Sequence, residues 1–219
     1  MSKVVIFGVQ DFADLAHFYL GLDTEHEVAA FTVHEKYLNL SEFKGLPVIP
    51  FESVQDLYPP TDFKFFAPLS PLRMNYLRES VYKEAKSKGY QFISYISTRA
   101  TYYGTPVGEN CFIFENNVIQ PFTSIGDNTI LWSGNHLGHH SSIKDHCFIS
   151  SHVVISGHVT IANNCYLGVN STVVDGVNLA ASTYVGAGAL IGSNTKEFGV
   201  YPGAKSEISK VPSNRLRGM

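Results

Sequence analysis

Six of the chain's nine histidines fall in one stretch, "NHLGHHSSIKDHCFISSHVVISGHVTI" (135–161): His136, His139, His140, His146, His152 and His158. Imidazole changes charge near neutral pH, accepts protons as a general base and ligates transition metals. A cluster of rings can therefore signal acid–base chemistry or a metal centre. It can also signal repeated turns, because histidine is enriched among residues with positive φ. The elements that hold the rings decide between these.

Those elements follow a six-residue rule. Every sixth residue from Val107 is aliphatic, through Ile113, Ile119, Ile125 and onward to Val185 and Ile191. With about a quarter of residues being Val, Ile or Leu, so long a run arises by chance on the order of once in a billion for a fixed frame. The fourth residue after each aliphatic one is small or compact, as in Cys111, Thr129, Ser141, Cys147, Cys165 and Thr183. This is the grammar of a hexapeptide-repeat β-helix, in which three hexads close one triangular coil and residues eighteen apart stack. The run predicts about five coils.

In this frame His140, His146, His152 and His158 each lie three residues after an aliphatic position, at the coil corners. Asn116, Asn128, Asn164, Gly134 and Gly176 hold the same place, and such residues suit turns. His139 lies one residue before a corner. The residue stacked on it one coil later is Gly157, which leaves room beside the imidazole for a ligand.

The first half reads differently. Buried-strand patterns at 3–8, 27–33, 64–69 and 91–96 alternate with helical spacing. One helix follows Asp11, a candidate N-cap. Another is charged and ends at Gly89, a candidate C′ glycine. This predicts a small Rossmann-like α/β sheet. The expected division is 1–97 for the α/β domain, 98–196 for the β-helix and 197–219 for a closing loop and tail. The turn after the first strand, "FGVQDFADLA", keeps Gly8 but places Asp11 and Asp14 at the helix start, which disfavours a diphosphate there. "PLSPLRMNYLR" puts Arg73 and Arg78 near a strand end, where α/β folds bind ligands.

Composition excludes other classes. The chain is 44% hydrophobic and 16% charged, with a formal net charge of −3, and no basic stripe suggests nucleic acid. No apolar run approaches the roughly 18 residues of a membrane span. The start, "MSKVVIFGV", is too short and strand-like for a signal peptide. Cys111, Cys147 and Cys165 form no CxxC pair and read as compact interior residues,. The expected location is the reducing cytoplasm.

A β-helix behind a Rossmann-like domain, with "VTIANNCYLGVNSTVVDGVNL", "YVGAGALIG" and "GVYPGAKSE" in its late coils, resembles the bacterial hexapeptide-repeat sugar acyltransferases of the sialic-acid O-acetyltransferase type. N-acetyltransferases of nucleotide-linked amino sugars belong to the same group. The resemblance implies a left-handed β-helix, a homotrimer, and acetyl-CoA lying between adjacent β-helices, with no metal. It implies direct acetyl transfer to a sugar amine or hydroxyl in surface-polysaccharide synthesis. His139 in "HHSSIK" falls on the family's catalytic base, and His140 stands where the family carries an acid that orients it. Asp127 and Asp145, at equivalent places in neighbouring hexads, are candidate substitutes for that acid. Phe148 falls where another family histidine contacts acetyl-CoA. By resemblance Gly157, Val169, Gly186 and Gly188 line the cofactor path, with a backbone N–H near Gly157 as oxyanion donor. Gly8 is the remnant of the sugar-binding turn, and Arg73 is a further substrate-binding candidate.

Three other readings share the scaffold: O-acetylation of a non-nucleotide acceptor, a non-catalytic trimeric scaffold, and a zinc enzyme of the γ-type carbonic anhydrase kind. The last needs two histidines five apart plus a third from another coil or subunit, and no pair in 135–161 has that spacing,.

Overall fold

The computed structural model describes residues 2–215. Its first half is a five-stranded sheet built from β1 (Lys3–Phe7), β2 (Glu27–Val33), β3 (Glu42–Phe43), β4 (Leu46–Pro50) and β5 (Phe63–Phe66), in the order β3-β4-β2-β1-β5. All pairings are parallel except the β3–β4 hairpin. Period-two alternation splits β1 between two cores. Val4 and Ile6 face α1 (Asp11–Asp23) and the β-helix, while Val5 and Phe7 face α2 (Val54–Leu57) and α3 (Tyr76–Ser87). The α3 helix stops where expected: Gly89 adopts φ 90° and its N–H donates to the Lys86 carbonyl at 2.9 Å. Asp11 opens α1 as its first residue, and the N-cap is Gln10.

The segment 91–96 differs from expectation. It touches β5 through a single Phe65–Phe92 bridge, and Tyr95–Ile96 then pairs with Phe112–Ile113 as the first rung of the β-helix. The apolar run reads as a buried strand, but its second half belongs to the other domain. The strand at Leu46–Pro50 escapes the sequence pattern because Pro47 and Pro50 bracket it,.

The second half is three parallel sheets whose rungs advance by eighteen residues from Phe112 to Ile191, with steps one or two residues shorter at the two ends. One runs from Tyr95–Ile96 through Phe112–Ile113, Ile130–Leu131, Phe148–Ile149, Tyr166–Leu167 and Tyr184–Val185 to Val200–Tyr201. The ladder therefore starts before residue 98 and takes one rung from beyond residue 196. The last residues of the expected tail, 216–219, lie outside the described residues. Aliphatic residues from Ile113 to Ile191 fill the interior, with the small residues beside them. The three cysteines are free and buried there, and burial pushes the Cys111 thiol up to about 12. They are packing residues, as expected.

Corner geometry explains the residue choice. Every sixth residue from Asn110 to Gly188 has positive φ, including His140 (58°), His146 (63°), His152 (58°) and His158 (57°). This conformation costs an L-residue roughly 1–2 kcal/mol, and short polar side chains tolerate it best.

One face of the β-helix is covered by the α/β domain. Phe12 meets Trp132 and Phe148, and Tyr19 meets Phe112 and Phe114. From α3, Arg78 is inserted with no exposed surface. Its Nε donates to the Asn128 carbonyl, Nη1 to the Leu69 carbonyl and Asn75 Oδ1, and Nη2 to the His146 and Cys147 carbonyls, all at 3.0–3.2 Å. The sequence placed Arg78 beside a ligand site; it is instead a clamp between domains. Burial without a carboxylate lowers its pKa to about 10, still cationic at neutral pH. Arg78→Ala leaves several buried carbonyls without donors, at roughly 1–3 kcal/mol each. We expect a loss of at least about 3 kcal/mol in urea denaturation, and Arg78→Lys, with a different donor geometry, to recover only part of it.

Candidate active site

His139 immediately precedes the His140 corner, where the sheet containing His136–Leu137 gives way to the one containing Ser142–Ile143. Its backbone N–H donates to Gln120 Oε1 at 2.8 Å, and its carbonyl accepts from His158 N–H at 3.0 Å. These bonds hold an exposed ring on a rigid frame. His139 Nδ1 lies 3.1 Å from His140 Nδ1. Two neutral imidazoles can share only one proton there. When His139 donates it, the His139 Nε2 keeps a free lone pair.

The Cε1–Nε2 edge of the His139 ring lies against Gly157. A methyl group at Gly157 would sit 2.8 Å from His139 Cε1, 3.0 Å from His139 Nε2 and 2.8 Å from Asp175 Oδ1. Glycine is thus needed at this close approach. The imidazole and the Asp175 carboxylate border the same gap, as residues of one column eighteen apart should. His140 is flanked by Phe122 at 4.8 Å and His158 at 5.0 Å between ring centroids.

The other sequence candidates lie elsewhere. Val169 and Gly188 are joined on another corner, where the Gly188 N–H donates to the Val169 carbonyl at 2.8 Å. Gly186 is buried beside them against Gly203 and Pro202. Phe148 is 5% exposed and stacked on Tyr166 between the domains, so its ring has no surface to offer a cofactor. Asp127 and Asp145 are already engaged. Asp127 accepts from the Glu109 N–H and the Tyr82 hydroxyl, and Asp145 from the Asp127 N–H. Neither orients His139 within the chain. Gly8 ends β1 with φ 116°, near Leu69, and exposed Arg73 begins a left-handed turn with Met74 and Asn75. Asp14 pairs with Lys44 at 2.7 Å, and Asp11 and Asp14 line an open cleft beside α1.

Sequence reasoning missed Gln120, Asp175 and the part played by His158. Stacking by eighteen locates the last two, since Asp175 is two rungs above His139 and His158 one rung above His140. Gln120 carried no signal. The spacing test for a metal also missed something: ring nitrogens of His139, His140 and His158 all lie within 4.8 Å of one another.

No protein-family model and no curated protein matches the chain. Solved structures do. Perosamine N-acetyltransferase from Caulobacter crescentus, as a histidine-to-asparagine variant with CoA and GDP-perosamine, superposes with a TM-score of 0.81 at 21% identity, over 91% of this chain and 93% of that one. The acetyltransferase domain of PglB from Neisseria gonorrhoeae gives 0.77 at 16% identity, over 91% and 96%. WeeI from Acinetobacter baumannii gives 0.56 at 14%, over 88% and 95%. The fold is that of hexapeptide-repeat sugar acetyltransferases. No helix among the described residues is long and apolar enough to cross a membrane.

His146 is the histidine that the fold removes from chemistry. It is buried beneath α3, with Nδ1 accepting from Asn128 Nδ2 at 2.9 Å and its ring against Tyr82. Burial lowers its pKa, and Glu79 at 3.9 Å only partly offsets this. A lowered folded pKa means the unfolded chain takes up the proton first. The stability contribution is intact above the unfolded value of about 6.5 and is lost as pH falls from there through the folded value. His146→Asn, which restores the residue found at neighbouring corners, should flatten the melting temperature between about pH 6.5 and 5; an unchanged slope contradicts this.

Proposed function

We propose that the protein transfers the acetyl group of acetyl-CoA to an amino group of a sugar, with His139 as general base. The observation that carries this is the pairing of an oriented imidazole with the Gly157 gap, on a fold shared with enzymes solved with CoA and a nucleotide-linked sugar. The PglB domain was solved with acetyl-CoA, and the perosamine enzyme also as a histidine-to-alanine variant.

His140 takes the orienting role in this reading. His139 Nδ1–H donates to His140 Nδ1, and His139 Nε2 accepts the proton from the attacking amine. The amine attacks the thioester carbonyl, the carbonyl oxygen gains charge beside the Gly157 N–H, and the tetrahedral intermediate collapses with loss of CoA thiolate. The thiolate then takes the proton held by the imidazolium. Two neutral rings supply no fixed negative charge at His139, which suits an amine, a stronger nucleophile than a hydroxyl. Asp175, across the Gly157 gap, makes no hydrogen bond to the ring among the described residues and contributes only through space.

The cofactor path runs from the Gly157 gap towards the corner of Val169, Gly186 and Gly188 on an adjacent copy. We therefore read the protein as a homotrimer of left-handed β-helices of about five coils, working in the cytoplasm. The acceptor sits between His139 and the α/β domain of a neighbouring copy, where the β1 end at Gly8 and the Arg73 turn are the contact candidates. Asp11 and Asp14 at that strand end argue against a diphosphate held at the α1 N-terminus. An O-acetylated, non-nucleotide sugar is the second reading that this favours.

His139→Asn should lower kcat by about 10²–10⁴ while leaving acetyl-CoA affinity within about twofold, measured by thiol release and calorimetry. Gly157→Ala should reduce activity comparably by displacing the ring. Full activity of His139→Asn, or no acetyl-CoA binding by the wild type, would overturn the assignment.

A further inference from the structure

Three imidazoles converge at the corner that holds His139. His139 and His140 face each other with Nδ1 atoms 3.1 Å apart. His158 lies parallel to His140 with a 17° interplanar angle and meets His139 edge-on at 5.2 Å. One ring nitrogen from each lies within 4.8 Å of the other two, and all three residues are exposed. Two imidazole nitrogens bound to one tetrahedral Zn²⁺ at 2.0–2.1 Å are about 3.3 Å apart. The His139–His140 pair already has nearly that separation, and the His158 ring, now stacked on His140, would have to rotate to complete the set.

The frame is rigid. His140 and His158 hold left-handed corners at φ 58° and 57°, and the rung bond from His158 N–H to the His139 carbonyl is 3.0 Å. Phe122 packs against the His140 ring at 4.8 Å. A ligating histidine usually donates its other ring N–H to a carboxylate or carbonyl. Asp175 Oδ1 borders the same gap as His139 Nε2 and is the carboxylate on that side of the ring.

We propose that His139, His140 and His158 form a binding site for a borderline-soft divalent transition metal such as Zn²⁺, Ni²⁺ or Cu²⁺. Three neutral nitrogens select these ions over Mg²⁺ and Ca²⁺, which require oxygen ligands. A tetrahedral ion would keep its fourth position open to solvent. The consequence for catalysis rests on the proposed function: an ion on His139 Nδ1 leaves the ring proton on Nε2, so a loaded His139 accepts no proton. The site would then be inhibitory, with the ion competing for the base.

The test needs no acetyl transfer. The metal-free full chain is titrated with Co²⁺, and the intense visible absorption of four-coordinate cobalt is followed, with Zn²⁺ added afterwards to displace it. His140→Asn and His158→Asn are compared, because asparagine occupies several of the other corners and preserves the turn. The wild type should bind one Co²⁺ per chain, and each variant should bind at least about 100-fold more weakly. No saturable absorption in the wild type, or unchanged binding in folded His158→Asn, would overturn the site. Acetyl transfer measured in metal-free buffer reports separately on His139 as base, so either conclusion can fail without the other.

Discussion

A parallel β-helix that closes a coil every eighteen residues must turn a corner every six, and each corner forces one residue into left-handed backbone space. That constraint runs from Asn110 to Gly188 without interruption. It explains asparagine, glycine and histidine at the corners, because other side chains meet the full steric cost there. Phe122 and Ser182 are exceptions that the surrounding ladder holds in place. Functional geometry follows from the same rule. Residues eighteen apart stand one rung apart, so His139, Gly157 and Asp175 form a column whatever lies between them.

The second determinant is the covering of one face. Phe112, Ile130 and Phe148 point out of the β-helix and would be exposed on an isolated coil; the α/β domain buries them. Arg78 fixes the position of α3 by donating to the Asn128, His146 and Cys147 carbonyls of the same ladder. Among the described residues its charge has no carboxylate partner, so specificity comes from geometry: the planar fork matches successive rungs. His146 and Asn128 join this layer, which is why a histidine from the same run as His139 ends up buried.

The β-helix was legible because its signal is a strict period. Interior aliphatics, small partners and corner residues each repeat, and all three agree. The α/β sheet was less so. Leu46–Pro50 is hidden by its prolines, and 91–96 splits between domains, which no local pattern reveals. At the site, the frame placed His139 beside Gly157, and the structure shows the gap that a methyl group would close. Ring orientation did not follow from the frame. The facing Nδ1 atoms of His139 and His140 and the pin from Gln120 depend on side-chain rotamers. Phe148 was assigned by resemblance and Arg78 by its place near a strand end, and neither signal says which outer face of the coil the α/β domain covers.

The chemistry comes down to whether one imidazole faces a thioester across the Gly157 gap. A crystal structure with CoA addresses this most directly. The CoA sulfur is expected in the gap bordered by His139 and Gly157, within hydrogen-bonding reach of His139 Nε2, with the pantetheine running along the Val169–Gly188 corner of an adjacent copy. CoA bound with its sulfur remote from His139 would contradict it.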